Sequence, residues 1–168
     1  GADGTALGPR IVVNSTASGD QVAPCVAINA AGDFVMAWED QSGRDGDGTG
    51  VYLQRHRAGG TRIGGQTLVN AVTSGAQQSP AMALDDQGNF LVSWQSENQD
   101  GSGSGVFARW GSLDSLLLDP ETRVNTTVTG DQRSPAVAAA TNGQAVVVWQ
   151  SQGQDGDGWG VYAQRYDT

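Results

Sequence analysis

The sequence predicts an all-β fold in which three four-stranded repeat units stack as the blades of a β-propeller. Trp38, Trp94 and Trp149 lie 56 and 55 residues apart, and a fixed period of this size is typical of repeat architectures. Around each tryptophan, short apolar runs are separated by glycine-rich turns, as expected of short antiparallel strands. Small sheets of this kind bury their apolar faces against one another, so we expect the units to form one domain.

Other residues recur in register with the tryptophans, so a chance repeat is excluded. A Val-Asn pair, a glutamine and a proline precede each tryptophan, and a Gly-Val-aromatic sequence follows it. These anchors are Val13-Asn14, Val69-Asn70 and Val124-Asn125; Gln21, Gln77 and Gln132; Pro24, Pro80 and Pro135; and Val51-Tyr52, Val106-Phe107 and Val161-Tyr162. They divide the single domain, residues 1–168, into repeats of about 14–69, 70–124 and 125–168.

Each repeat is predicted to contain four strands. The first follows the proline, the second ends near the tryptophan, the third begins at the Gly-Val-aromatic sequence, and the fourth ends at the Val-Asn pair. The expected ranges are 25–29, 81–85 and 136–140 for the first strand; 34–39, 90–95 and 145–150 for the second; 51–56, 106–110 and 161–166 for the third; and 63–70 and 116–125 for the fourth. Because the second strand is apolar at both odd and even positions, we expect it to be covered on both sides.

The two ends of the chain are out of phase with the repeat. Residues 9–13 have the pattern of a fourth strand without a preceding repeat, and the third repeat ends at its third strand. We therefore expect residues 9–13 to complete the last sheet and close the ring, which would hide the exposed strand edges. Since propellers usually have about 4–8 blades, a threefold β-prism or a β-trefoil-like barrel is the alternative.

Composition excludes several classes of partner. The chain has 18 acidic and nine basic residues, a net charge of −9, and all of its basic residues are arginine. A nucleic-acid-binding face needs clustered positive charge, so we expect no nucleic-acid partner, whereas a cation is compatible with the charge. The sequence has no apolar run long enough for a membrane-spanning helix, so no membrane insertion is expected. Cys25 is the only cysteine, which excludes an internal disulfide.

The glycine-rich loop after each tryptophan is the best candidate for a metal site. The three loops read Asp45-Gly46-Asp47-Gly48, Asp100-Gly101-Ser102-Gly103 and Asp155-Gly156-Asp157-Gly158. Oxygen-bearing side chains at alternate positions resemble the start of a calcium loop. The predicted cofactor is therefore Ca²⁺, with Asp45, Asp47, Asp100, Asp155 and Asp157 as ligands. The loops lack the glutamate that ends an EF-hand loop, and Asp-Gly pairs also form tight turns without an ion, so both interpretations are open.

The remaining candidate residues are aromatic. Trp110 and Trp159 do not recur in the other repeats, and Trp159 lies in a polar loop where its ring is suited to stacking on a sugar. These two tryptophans are the candidate ligand-binding residues. His56 is the only histidine, which excludes a His-rich zinc site, and no nucleophile-elbow motif accompanies it. From these motifs we expect that the chain is not an enzyme.

The segment at residues 149–166, with the sequence WQSQGQDGDGWGVYAQRY, resembles the tandem repeats of very large bacterial secreted and surface proteins. Such repeats often occur beside calcium-binding repeats of the RTX kind and cadherin-like modules. The resemblance covers nearly the whole chain, although the middle copy departs most. It implies an extracellular or bacterial cell-surface location and an adhesive or architectural role, and it brings no catalytic residues with it.

These observations together predict a non-catalytic structural or adhesive module whose loops bind Ca²⁺. The alternatives are a carbohydrate-binding lectin and a self-assembling surface or filament subunit. The expected partners are a glycan or protein surface ligand, and a second copy of the chain that pairs through the open end strands.

Overall fold

The computed structural model describes residues 3–167, which form three antiparallel sheets and no helix. The strands are β1 (Gln21–Ile28), β2 (Phe34–Asp40), β3 (Gly50–His56) and β4 (Arg62–Leu68) in the first sheet; β5 (Gln77–Leu84), β6 (Asn89–Glu97), β7 (Ser104–Ser112) and β8 (Thr122–Arg123) in the second; and β9 (Gln132–Ala139), β10 (Ala145–Gln152) and β11 (Trp159–Tyr166) in the third. Within each sheet the strands pair in chain order. The predicted all-β fold of propeller-like blades is confirmed, and the prism and barrel alternatives are set aside. No helix in the described part of the chain is long and apolar enough to cross a membrane.

The sheets stack on one another through two apolar interfaces, which we call the first seam (first and second sheets) and the second seam (second and third sheets). In the first seam, Val35 and Ala37 lie in one cluster with the larger Phe90 and Trp94. In the second seam, Leu91 clusters with residues of β7 and β10. Alternate residues of β6 therefore face opposite seams, as the two-residue period of a strand requires.

The second strands differ in how fully they are covered. β6 is buried on both faces through most of its length, as expected for a strand with neighbours on both sides. In the third sheet, Val146 and Val148 of β10 are only half-buried because no sheet stacks on that face among the described residues. The prediction of a covered central strand therefore holds for the second repeat and fails for the third.

The first strand of each repeat begins before the predicted proline rather than after it. β1 starts at Gln21 and pairs with β2 across a bulge between Val22 and Cys25, and a bulge accommodates a proline because its residues leave the hydrogen-bond ladder. Ala23, Ser79 and Ser134 have positive φ angles of 48°, 53° and 54°. Such a conformation costs about 1 kcal/mol or more in a residue with a side chain, so the surrounding structure must hold it in place.

The predicted closure of the ring by residues 9–13 is wrong. These residues form no strand, and in the described chain the third sheet has three strands. Arg62 donates to the carbonyl oxygens of Val12 and Val13, which holds this segment on the first sheet. Val26 and Val161, on the outward faces of the first and third sheets, are 62% and 77% exposed. The two outward faces are therefore not packed on each other.

The fourth strands are the most variable element. β4 covers most of the predicted range, whereas β8 has only two residues, and an isolated bridge joins Gly111 to Leu118. Pro120 lies between that bridge and β8. Since proline has no N–H to donate, it interrupts the ladder there. The repeat boundaries at about residues 69 and 124 stay predictions.

Candidate functional site

The glycine-rich loops join the second and third strands within each sheet, and the first two contact the segments that lead into the next sheet. We call this edge of the stack the glycine-loop edge. Asp45 Oδ2 accepts a hydrogen bond from Asn70 Nδ2 at 3.4 Å, and Asp100 Oδ2 accepts one from Asn125 Nδ2 at 2.9 Å. Asp47 Oδ2 also accepts from the backbone N–H of Gly75 at 3.2 Å. The first acidic residue of each of these two loops therefore holds the segment that leads into the following sheet.

The predicted calcium ligands are thus engaged in hydrogen bonds in the first two loops. Asp155 and Asp157 occupy the third loop, where the described chain contains no following sheet to receive them. Within residues 3–167, no group of three or more His, Cys, Asp or Glu side chains is arranged to hold a metal ion. Calcium binding stays a prediction, and the melting temperature with Ca²⁺ and then with EDTA would test it.

An open crevice of about 470 Å³ lies at the glycine-loop edge of the second seam. Its charged residues are Glu97 at the end of β6, and Asp131 and Arg133 around the start of β9. The other lining residues are Ala76, Gln78, Gln95, Asn98, Gly103 and Ser104. The crevice is formed by three chain segments that are distant in sequence, so only the stacking of the sheets creates it.

Backbone donors from neighbouring strands position both carboxylates of the crevice. Glu97 Oε2 accepts from the N–H of Ala76 at 3.3 Å, and Asp131 Oδ1 accepts from the N–H of Ser104 at 3.0 Å. Asp131 also forms an ion pair with Arg133. The Arg133 guanidinium lies 5.6 Å from the centre of the Trp159 ring, so a partly exposed aromatic ring borders the charged group.

Two of these three charged residues depart from the repeat. The residues equivalent to Glu97 in the other two repeats are Gln41 and Gln152, and those equivalent to Arg133 are Val22 and Gln78, whereas Asp131 has the counterparts Asp20 and Ala76. At the first seam, the positions equivalent to Asp131 and Arg133 are Ala76 and Gln78. The fold forms at the first seam without these charges, so the fold does not require them. Glu97, Asp131 and Arg133 are the site residues that motif analysis of the sequence missed. Aligning the repeats and looking for charged departures finds Glu97 and Arg133, and Asp131 is two residues from Arg133.

The two candidate tryptophans lie on opposite edges of the stack. Trp159 is 46% exposed at the glycine-loop edge. Trp110 is half-buried against the core of the second seam, and it also lines a hollow of about 480 Å³ with Leu117 and Asp119 at the other edge. The structure therefore does not bring them into one site. A ligand-binding role for either one stays a prediction.

His56 and Arg55 are buried in the first sheet and serve the fold. His56 stacks on Phe34 with ring centroids 4.9 Å apart. Burial, together with the positive charge of Arg62, lowers the pKa of His56. Arg55 Nε donates to the carbonyl of Ser112 at 3.0 Å and thereby joins the first sheet to the second. Neither residue lines the crevice.

Comparison with solved structures identifies the class of fold. The chain is similar to the endo-arabinase from Bacteroides thetaiotaomicron VPI-5482, with a TM-score of 0.52 and 14% identity over 88% of this chain and 56% of that one. It is also similar to the alpha-L-arabinofuranosidase from Lactobacillus brevis, with a TM-score of 0.53 and 13% identity over 88% of this chain and 53% of that one. A thermostable family-43 glycoside hydrolase gives a TM-score of 0.52 at 9% identity, over 88% of this chain and 55% of that one. No protein-family model and no curated protein matches the sequence.

The chain therefore has the blade arrangement of these β-propeller proteins and spans a little over half of their length. The sequence-based prediction of a non-catalytic structural or adhesive module, with a lectin or a self-assembling subunit as alternatives, is overturned by this comparison, because the solved proteins that share the fold are glycoside hydrolases. The prediction that the chain is not an enzyme is corrected on the same ground.

Proposed function

We propose that this chain forms part of a β-propeller glycoside hydrolase and that the crevice at the second seam is its carbohydrate site. The observation that supports this most directly is the presence of Glu97, Asp131 and Arg133 in one open crevice of about 470 Å³. Ligand pockets typically have volumes of about 300–1,000 Å³. The solved proteins that share the fold are named for activity on arabinose- and xylose-containing substrates, so pentose polysaccharides are the first substrates to test.

The charges of the crevice suggest a division of roles between its two carboxyl groups. Glycosidic bonds are hydrolysed by one carboxyl group that acts as an acid and a second that acts as a base or nucleophile. Arg133 offsets the negative charge of Asp131, which favours the anionic role for Asp131. Glu97 has no ion pair among the described residues, so we assign it the acid role.

Neutral groups around the carboxylates supply the remaining sugar contacts. The Gln78 amide lines the crevice and provides both a donor and an acceptor for sugar hydroxyls. The exposed face of Trp159 is available for stacking on a pyranose or furanose ring. Since polysaccharides of this kind lie outside the cell, an extracellular location is part of the same proposal.

The test is hydrolysis of arabinan, xylan and aryl pentosides, measured as released reducing sugar or phenol. Asp131→Asn and Glu97→Gln should each lower the rate by about 100-fold or more, because a positioned acid or base contributes about 10²–10⁴-fold. Asp119→Asn is the matched control, since this exposed carboxylate lies at the opposite edge of the stack, and it should keep the full rate.

A complementary measurement is saturation-transfer NMR with arabino- and xylo-oligosaccharides. We expect contacts that disappear in Asp131→Asn and Trp159→Ala and persist in Asp119→Asn. No hydrolysis together with no oligosaccharide contact would contradict the proposal, as would activity that survives both crevice substitutions.

A further inference from the structure

The first and third sheets each have one apolar face that no other sheet covers within residues 3–167. The head face belongs to the first sheet and includes Val26, Ile28 and Phe34, of which the two aliphatic side chains are largely exposed. The tail face belongs to the third sheet and includes Val146 and Val161, the latter being 77% exposed. Exposed apolar side chains gathered on one face indicate an interaction surface.

The two uncovered faces are the two halves of a seam that the molecule already forms twice. On the head face, Val26 and Phe34 are equivalent to Met82 and Phe90, which enter the first seam from the second sheet. On the tail face, Val146 is equivalent to Val35, which receives them from the first sheet. On the head face Phe34 thus matches the large side chain of Phe90, whereas Val26 is smaller than Met82, and on the tail face Val146 is identical to the small Val35. Large residues packed against small ones are what close apolar packing requires.

A Val-Asn pair, which we call a hook, forms hydrogen bonds to the backbone of the third strand beside each existing seam. The two hooks are Val69-Asn70 and Val124-Asn125. The N–H of Val69 donates to the carbonyl of Val51 at 2.8 Å, and Asn70 Oδ1 accepts from the N–H of Val51 at 2.9 Å. Val124-Asn125 makes the same two bonds to Val106, at 2.8 and 2.7 Å. Each hook extends the sheet beyond its third strand and then leads into the next sheet.

Val13-Asn14 is the third copy of the hook, and Val161 is the third copy of its partner. Asn14 Nδ2 donates to the carbonyl of Thr16 at 2.6 Å and to Gln21 Oε1 at 2.9 Å, as Asn125 does to Thr127 and Gln132. The hook is therefore folded, but within residues 3–167 no valine N–H reaches Asn14 Oδ1. Val161 lies on β11, which has no partner strand on its outer side in the described chain.

The hook Val13-Asn14 is also held in the position where it would pair with a preceding sheet. Arg62 donates to the carbonyl of Val13 at 3.3 Å, just as Arg109 of the second sheet donates to the carbonyl of Val69 at 2.8 Å. In both cases an arginine of the following sheet fixes the carbonyl of the hook. The segment that contains Val13 and Asn14 thus occupies the position of a connection between two sheets.

The remaining contacts of a seam have their counterparts at the open ends. Ser79 N–H donates to Glu39 Oε1 at 2.7 Å in the first seam, and Ser134 N–H donates to Gln95 Oε1 at 3.3 Å in the second. The third pair would be Ala23 N–H on the head face and the exposed Gln150 side chain on the tail face. Asp155 is likewise the counterpart of Asp45 and Asp100, which accept from the asparagine of the hook.

We infer that the tail face binds the head face of a second copy of this chain, with Val13-Asn14 of that copy paired to Val161 on β11. Both halves of the interface are present on one chain, so two copies arranged head to tail form two identical seams. The closed arrangement hides both apolar faces and both open strand edges, which is the usual reason for ring closure. This inference does not depend on the proposed function of the crevice.

The test is sedimentation equilibrium of the full chain, with one substitution on each face. Val161→Asp and Val26→Asp change side chains that are exposed in the single chain, so each variant should keep its circular dichroism spectrum. Each should weaken the dimer by about 100-fold or more, because an unpaired charge is costly to bury in an apolar interface. Leu117→Asp is the control, since Leu117 is exposed and lies outside both faces, and it should leave the dimer unchanged.

Mixing the two variants gives the sharper result. Val161→Asp keeps an intact head face and Val26→Asp keeps an intact tail face, so the mixture should form a heterodimer through one seam, whereas each variant alone should stay monomeric. A wild-type chain that is monomeric at all concentrations would overturn the inference. A dimer that tolerates Val161→Asp, or one that Leu117→Asp disrupts equally, would overturn it too.

A synthetic peptide of residues 9–21 tests the hook separately by fluorescence anisotropy. It should bind the Val26→Asp variant, whose tail face is intact, and binding should fall at least about tenfold when Asn14 of the peptide is replaced by alanine, because two buried hydrogen bonds are lost. Peptide binding by a wild-type chain that never dimerises would show that the tail face accepts the hook only from another source, which would overturn the second copy as its occupant.

Discussion

The second sheet and the two end sheets are built from the same repeat, yet they differ sharply in burial. Met82 is 8% exposed, whereas its counterpart in the first sheet, Val26, is 62% exposed. Val106 is fully buried, whereas its counterpart in the third sheet, Val161, is 77% exposed. The local sequence is equally apolar in each pair. The comparison teaches that stability in this fold comes from the seams rather than from the individual sheets.

The largest expected difference in the free energy of unfolding is between a substitution at Met82 and one at Val26. Met82→Ala should lower the free energy of unfolding by about 2–5 kcal/mol, because it leaves a cavity in the core of the first seam. Val26→Ala should change it by less than about 0.5 kcal/mol, the usual range for exposed positions. The measurement is urea denaturation at concentrations where sedimentation shows a single chain. Similar losses at both positions would show that the head face is already covered.

The next largest expected difference in the free energy of unfolding is between substitutions at the hook residues Asn125 and Asn14. Asn125→Ala removes bonds to Asp100, Gln132 and the N–H of Val106, and it should cost about 1–3 kcal/mol because buried polar groups lose their partners. Asn14→Ala should cost less, since Asn14 has no valine N–H to accept from in the described chain. The two variants are compared by denaturation of the single chain. Equal losses would contradict the view that a hook acts through the sheet that precedes it.

The smallest expected effect is on the pH dependence of the free energy of unfolding. It tests how fully His56 in the first sheet is shielded from water. Burial and Arg62 lower the pKa of His56, so the unfolded chain binds a proton more readily than the folded one. The stability due to neutral His56 is present above the ordinary histidine pKa of about 6.5, and it is lost as the pH falls below that value. Denaturation of the wild type and of His56→Gln between neutral and mildly acidic pH should show that the variant lacks this part of the slope. An unchanged slope would show that water reaches His56.

Much of the architecture could be predicted from the sequence, whereas the candidate site could not. The regular spacing of the repeat tryptophans, Trp38, Trp94 and Trp149, predicted the positions of β2, β6 and β10. It could do so because the alternation of side chains along a strand is a local property of the sequence. The candidate site needs both Glu97 and Asp131 in one crevice. These residues lie on segments that meet only when the second and third sheets stack. The loop aspartates, such as Asp45 and Asp100, were predicted as metal ligands from spacing alone, but their hydrogen bonds to asparagines depend on the same stacking.

The sequence by itself determined that the chain is a repeat of small antiparallel sheets with apolar faces, since both the period and the alternation are local properties of the chain. The tertiary structure decided where residues 9–13 lie, which faces remain uncovered, and which charged groups meet in the crevice. These outcomes depend on how far each sheet is rotated against its neighbour, and that rotation is set by side-chain packing between segments that are far apart in sequence.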